Sequence, residues 1–221
     1  KTNNNKFNKI LTTIPDHLMP NDLLKDAKTV CAFFLPFSEQ IIYENREEEP
    51  FAKSWAMAYV STNNLINYIN SQIKEYLNNS GFDSNFVVPT GSGKVRESYF
   101  NKDYYPDYSH RHVAWVCGLG EFGMNNMLIT KTGCAGRYGS FVTDAEFEFE
   151  TPDNVQRCYY KINKSCGKCF SLCPVKALKP EGFEAIRCYD RLMENGKLNM
   201  ELEYSRVCGK CAVGPCAIFK E

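Results

Sequence analysis

C-G-K-C-F-S-L-C-P at residues 166–174 and C-G-K-C-A-V-G-P-C at residues 208–216 decide how this chain folds. Together with Cys158 and Cys188 they put eight of the eleven cysteines into the last 64 residues. A [4Fe–4S] cube needs four thiolates converging on it. A tight C-x2-C turn supplies two of them, and a third cysteine a few residues on can point back at the same cube. Eight thiolates make two cubes with none left over.

The assignment follows the bacterial ferredoxin rule, in which the cysteine before proline binds the other cluster of the pair. Counting back from Cys173-Pro174, the second to fourth positions of that rule are Cys166, Cys169 and Cys173, and the first is taken by Asn163. Cys158 is the substitute if Tyr159–Ser165 loops outward. In the second half Cys188 is the remote ligand, Cys208 and Cys211 form the close pair, and Cys216 crosses over. The expected quartets are therefore Cys158, Cys166, Cys169 and Cys216 for one cluster, and Cys173, Cys188, Cys208 and Cys211 for the other.

Two other uses of cysteine fit less well. Disulfide scaffolds are small secreted domains, whereas the dense region here follows about 150 residues containing only Cys31, Cys117 and Cys134. One all-cysteine zinc site would use the two C-x2-C pairs and leave Cys158, Cys173, Cys188 and Cys216 unexplained.

At 221 residues the chain suits one large or two small domains. Hydrophobic content of 43% is ample for a core. No apolar run is long enough to cross a membrane, so a soluble protein is expected. Oxygen-labile clusters place it in a cytoplasm, most simply that of an anaerobe. The sequence opens on Lys1 rather than Met, so a trimmed start is expected and a removed leader stays open. Formal net charge is zero, with −4 over residues 1–150 and +4 over 151–221. That bias favours docking of the halves, and nothing in it resembles a nucleic-acid surface.

Thr29–Pro36 (T-V-C-A-F-F-L-P) is an apolar run suited to a buried strand. Asn45–Pro50 reads as a charged loop. Phe51–Asn79 repeats apolar residues at three- and four-residue steps, a long helix that Gly81 ends. Phe86–Val88, Asn126–Thr130 and Ser140–Thr143 read as strands, with Lys131–Gly139 as a turn, and His110–Cys117 reads as a helix. Glu146–Glu150 alternates like an edge strand. A boundary near Thr151–Asp153 gives an α+β domain over residues 1–150 and a small, ferredoxin-like double-cluster domain over 151–221.

Gly118-Leu119-Gly120-Glu121-Phe122-Gly123 matches G-x-G-x-x-G, but a dinucleotide site needs a strand before it and a helix after it. Here the order is inverted. The glycines could still let a flat ligand approach the backbone. His110 and His112 point to different faces of a helix, so one packed and one solvated histidine are expected. Asp103, Tyr104, Tyr105, Asp107 and Tyr108 offer proton donors to a reductase. Cys117 and Cys31 read as packed thiols.

The stretch S-H-R-H-V-A-W-V-C-G-L-G-E-F-G-M-N-N-M-L-I-T (109–130), C-A-G-R-Y-G-S (134–140) and the double cysteine motif together resemble the epoxyqueuosine reductases and the cobalamin-binding core of reductive dehalogenases. The resemblance implies a nitroreductase-like α+β domain and a base-off corrinoid (cobalamin) held between that domain and the two clusters. It puts the corrinoid cradle at Gly118, Leu119, Gly120, Asn125, Asn126 and Met127. It also implies an external electron donor of ferredoxin or flavodoxin type and a small-molecule substrate. The helical-repeat extension of the tRNA-acting enzymes is not in this sequence, and a nucleic-acid substrate is not expected from the neutral charge. Two functions follow: an iron–sulfur oxidoreductase feeding a cofactor or substrate against the first domain, or a non-catalytic electron carrier with a docking domain.

Overall fold

The computed structural model describes residues 4–89, 107–148, 151–198, 200–202 and 206–219. The fold is α+β, as the sequence predicts. Helices α1 (Asn4–Thr13) and α2 (Pro20–Leu23) lead into β1 (Thr29–Pro36), α3 (Glu39–Glu47) and the long α4 (Lys53–Asn79). After β2 (Ser84–Asn85) come α5 (His110–Val116), the hairpin β3 (Gly120–Phe122) and β4 (Leu128–Thr130), and β5 (Gly136–Thr143). The cysteine-rich part carries α6 (Tyr159–Asn163), α7 (Lys168–Leu172), the small hairpin β6 (Leu178–Lys179) and β7 (Gly182–Phe183), α8 (Ala185–Gly196) and a 3-10 turn at Lys210–Ala212.

The main sheet runs β1-β5-β2, with β5 central and antiparallel to both neighbours. β5 begins four residues earlier than its sequence suggests, because Gly136 and Gly139 leave room for facing rings. Phe33 stands opposite Gly139, and the rings of Phe33 and Phe34 occupy the space that a Cβ at Gly139 or Gly136 would need. An aromatic ring lying over a cross-strand glycine gives that residue the packing it lacks. β1 is therefore a half-buried edge strand, not the fully buried one expected.

Other boundaries differ for local reasons. The strand expected at Phe86–Val88 forms at Ser84–Asn85, where β5 offers its last partners. Beyond Thr143 the chain leaves the sheet, since Lys28 N and Thr29 Oγ1 bond to the Thr143 and Ala145 carbonyls. Residues 146–148 are accordingly not a strand, and 149–150 lie outside the described residues. The expected charged loop is half helix. Asn45 through Glu47 finish α3, and Asn45 is fully buried.

The largest core crosses the expected domain boundary. Phe37, Ile42, Trp55, Ala56, Ile129 and Cys134 pack with Val207, Ala212, Val213 and Ala217. Among the described residues no helix is long and apolar enough to cross a membrane.

Candidate metal centre

Cys158 sits at the N-terminus of α6, its N–H held by Gln156 Oε1 at 2.8 Å. α6 is one exposed helical turn. It closes at Lys164 in the left-handed region (φ 62°), and the Asn163 side chain accepts from Ser165 N at 3.0 Å. Asn163 thus ends the turn where the ferredoxin rule has a cysteine, and the outward excursion brings Cys158 and Cys166 to the two ends of α6. Cys169 follows on α7. The crossing cysteine, Cys216, joins them: Cys158, Cys166, Cys169 and Cys216 line one recess, and Cys211 lines it as well. Burial pushes the Cys169 thiol up to about 11, with Cys216, Cys158 and Cys166 as the thiols that add to the shift.

The other four cysteines form a second group. Cys173 ends α7 and its sulfur accepts from Ala177 N at 3.2 Å. Cys188 lies on α8, and Cys208 and Cys211 flank the start of the 3-10 turn. Burial raises the Cys188 thiol to about 11, and its sulfur neighbours are Cys208 and Cys173. Cys211 is raised as well, by burial first and then by Cys208, Cys188 and Cys173.

Among the described residues no three His, Cys, Asp or Glu side chains converge closely enough to grip a single metal ion. One tetrahedral zinc needs all four sulfurs within about 2.3 Å of a point. A cube binds each thiolate through a different iron, so sulfurs spread around a recess suit it better.

The first half of the chain holds the second C-x2-C pair in place. Asn45 Nδ2 donates to Cys208 O at 3.0 Å, and Asn45 Oδ1 accepts from Ala52 N at 2.9 Å. Arg46 Nε donates to Val213 O at 2.9 Å. Lys210 is buried, bonds to the Glu48 carbonyl, and pairs with Glu49 at 3.2 Å. Gly209 has φ 70°, and an added Cβ would fall within the Trp55 indole.

The six positions expected to cradle a corrinoid do not share an open face. Pro152 covers Gly118, and the Ile129 and Thr130 backbone covers Gly120. Leu119 packs into a core cluster with Ala114, Leu128 and Tyr138. Asn125 turns toward the cysteines, where Nδ2 reaches Cys211 O at 3.1 Å. Asn126 is exposed with φ 56°, and Met127 receives Arg111 Nη1 on its sulfur at 3.1 Å. These residues serve the β3–β4 turn and its packing, and they offer no fit for a flat macrocycle on the glycine faces.

Neither His110 nor His112 is the solvated histidine expected. His110 is buried with Nδ1 2.8 Å from Ser140 Oγ, and His112 places Nδ1 2.8 Å from Ser109 Oγ. Burial, helped by Arg111 and His17, pushes His112 down to about 3, so its ring is neutral near neutral pH. Tyr108 is buried against Ser140 at 2.9 Å, Asp107 is described, and Asp103, Tyr104 and Tyr105 lie outside the described residues. Cys117 donates to Val30 O at 3.6 Å and burial raises it to about 12, a packed thiol. Three residues carried no signal in the sequence. His17 Nε2 accepts from Ser109 N, Arg111 has a buried Nε without a hydrogen-bond partner among the described residues and feels the charges of Cys211 and Cys188, and Cys134 touches Cys216.

No protein-family model and no curated protein matches this sequence. Solved structures do. A selenomethionine-labelled epoxyqueuosine reductase aligns over 100% of this chain and 61% of its own, at 18% identity and a TM-score of 0.59. Epoxyqueuosine reductase from Bacillus subtilis aligns over 98% and 59%, at 19% identity and 0.59. That from Streptococcus thermophilus aligns over 90% and 51%, at 17% and 0.52. The chain spans about three fifths or less of the length of these structures. Over nearly all of its own length, this chain has the fold of the epoxyqueuosine reductases.

Proposed function

We propose that this protein is an iron–sulfur oxidoreductase. In this reading Cys158, Cys166, Cys169 and Cys216 hold one [4Fe–4S] cluster, and Cys173, Cys188, Cys208 and Cys211 hold the second. The observation that supports it is the company of three thiols: Cys169 lies among Cys216, Cys158 and Cys166, whereas Cys188 and Cys211 lie among Cys208 and Cys173, so the cysteine after each close pair in sequence reaches the other set. Such clusters supply one-electron storage and transfer. The chain's own contribution is to half-bury the second group, direct the Ala177 N–H at Cys173, and bring the Arg111 guanidinium within electrostatic reach of Cys211 and Cys188. A fixed cation next to thiolates stabilises the added negative charge of a reduced site.

Residues 151–221 are then the electron-carrying part, and residues 1–150 the part against which an acceptor is reduced. The donor would be an external ferredoxin- or flavodoxin-type protein and the acceptor a small molecule. No step is assigned to a corrinoid, because the glycine faces that would cradle one are filled by Pro152 and Ile129. The extensive packing of the first half on the cysteine pairs favours this reading over a free electron carrier.

Anaerobic reconstitution with iron and sulfide is expected to give about eight of each per chain, as two cubes require. Stoichiometric zinc with no acid-labile sulfide would overturn the proposal. Cys158→Ser is expected to lose about half of the iron and one of two low-temperature EPR signals. A variant that kept both clusters would remove Cys158 from the ligand set.

A further inference from the structure

Cys134 and Asn125 stand outside the eight-cysteine pattern and yet touch it. Cys134 is fully buried in the 131–135 turn, and Asn125 is 4% exposed in the β3–β4 turn. The Cys134 thiol donates toward Cys216 Sγ at 3.8 Å. Asn125 Nδ2 lies 3.7 Å from the same sulfur, 3.6 Å from Cys134 Sγ and 3.1 Å from Cys211 O. An amide has two N–H donors, so one serves the Cys211 carbonyl and the other is shared between the sulfurs. The orientation is fixed from the other side, because Asn125 Oδ1 accepts from Met127 N at 3.1 Å.

Backbone pairing sets these separations. Cys134 N is shared between Cys216 O and Ala217 O at 3.0 Å each, Ala135 N donates to Ala217 O at 2.9 Å, and Phe219 N donates to Thr132 O at 3.0 Å. Gly133 (φ 114°) presses against the Ala217 and Ile218 backbone, where no Cβ fits. The turn of the first half and the tail carrying Cys216 therefore form one rigid strip, with two donors directed at one sulfur.

We propose that Cys134 and Asn125 are positioning residues that donate hydrogen bonds to the Cys216 thiolate and raise the reduction potential of the cluster it holds. The inference rests on the assignment of Cys216 as a ligand. Donors to a ligand sulfur draw electron density from it and favour the more negative, reduced cluster. The relay Asn125→Cys134→Cys216 strengthens each bond in it.

The test is an EPR-monitored redox titration of wild type, Cys134→Ala, Cys134→Ser and Asn125→Leu, with iron and sulfide measured in each. In Cys134→Ala the midpoint of one cluster is expected to fall by at least threefold in its equilibrium constant, about 30 mV at 59 mV per tenfold for one electron. The other cluster stays in place. Asn125→Leu shifts the same cluster in the same direction. Cys134→Ser keeps a donor and a similar volume, so it holds iron if alanine does not and shifts that cluster by less. Full iron content with unmoved potentials in the variants would overturn the proposal while leaving the clusters standing. Loss of one cluster from both Cys134→Ala and Cys134→Ser but not from Asn125→Leu would make Cys134 a ligand and overturn it too. Wild-type protein lacking two clusters would instead defeat the assignment of Cys216.

Discussion

Trp55→Ala is expected to destabilise the protein by about 3–5 kcal/mol, the range for deleting a large buried aromatic side chain. Trp55 is 6% exposed, meets Phe37 edge to face at 4.9 Å, and closes over Gly209 between two candidate ligands. Gly209→Ala is expected to cost roughly 2–5 kcal/mol, the sum of a left-handed backbone penalty and overpacking against the indole. The two costs should not add. With the indole gone, the alanine methyl has space, and only the backbone penalty remains. A double-mutant cycle by urea unfolding measures this, and a coupling within about 0.5 kcal/mol of zero, as for independent sites, would refute the contact. Iron content should fall with the single variants, since Cys208 and Cys211 sit on either side of Gly209.

Asn45→Ala is expected to cost roughly 2–4 kcal/mol, because it strands one buried and one partly buried backbone group, a fully buried one being worth about 1–3 kcal/mol when unsatisfied. Those groups are the Ala52 N–H and the Cys208 carbonyl. Asn45→Asp separates the two roles. It keeps the acceptor for Ala52 N but turns an oxygen toward Cys208 O, so it should be no better than alanine. Thermal unfolding of the reconstituted protein reads the difference. A variant within about 0.5 kcal/mol of wild type, the usual range for surface changes, would show that Asn45 does not join the halves.

The two proposed cysteine quartets can be written from the sequence because their spacing is local. C-x2-C fixes two sulfurs within one turn, and the crossing rule needs only the position of Pro174. Asn163 was read as a gap, and the structure gives it a role in ending α6. The long helix and the helix before Gly118 were legible from periodicity and a positive-φ glycine, which needs no tertiary knowledge. What stayed hidden depends on partners distant in the chain. Asn45 looks like one more polar residue in a charged stretch until Cys208, 163 residues on, is placed beside it. G-x-G-x-x-G could be read as a ligand cradle because sequence does not show that Pro152 and Ile129 fill those faces. Cys134 carried no spacing signal at all, since its relation to Cys216 exists only through the pairing of two segments 82 residues apart.

That pairing also bears on how the protein is made. Chains emerge from the ribosome N-terminus first and tend to fold in that order. Here residues 216–219 must return to residues 132–135, which are made about 80 residues earlier. Cys216 is proposed to share a cluster with Cys158, Cys166 and Cys169, so that group cannot close until residue 216 has emerged and returned. Three of its thiols wait exposed in the meantime. Oxygen or a stray metal therefore has its best opportunity during synthesis, and the finished molecule is the better protected one.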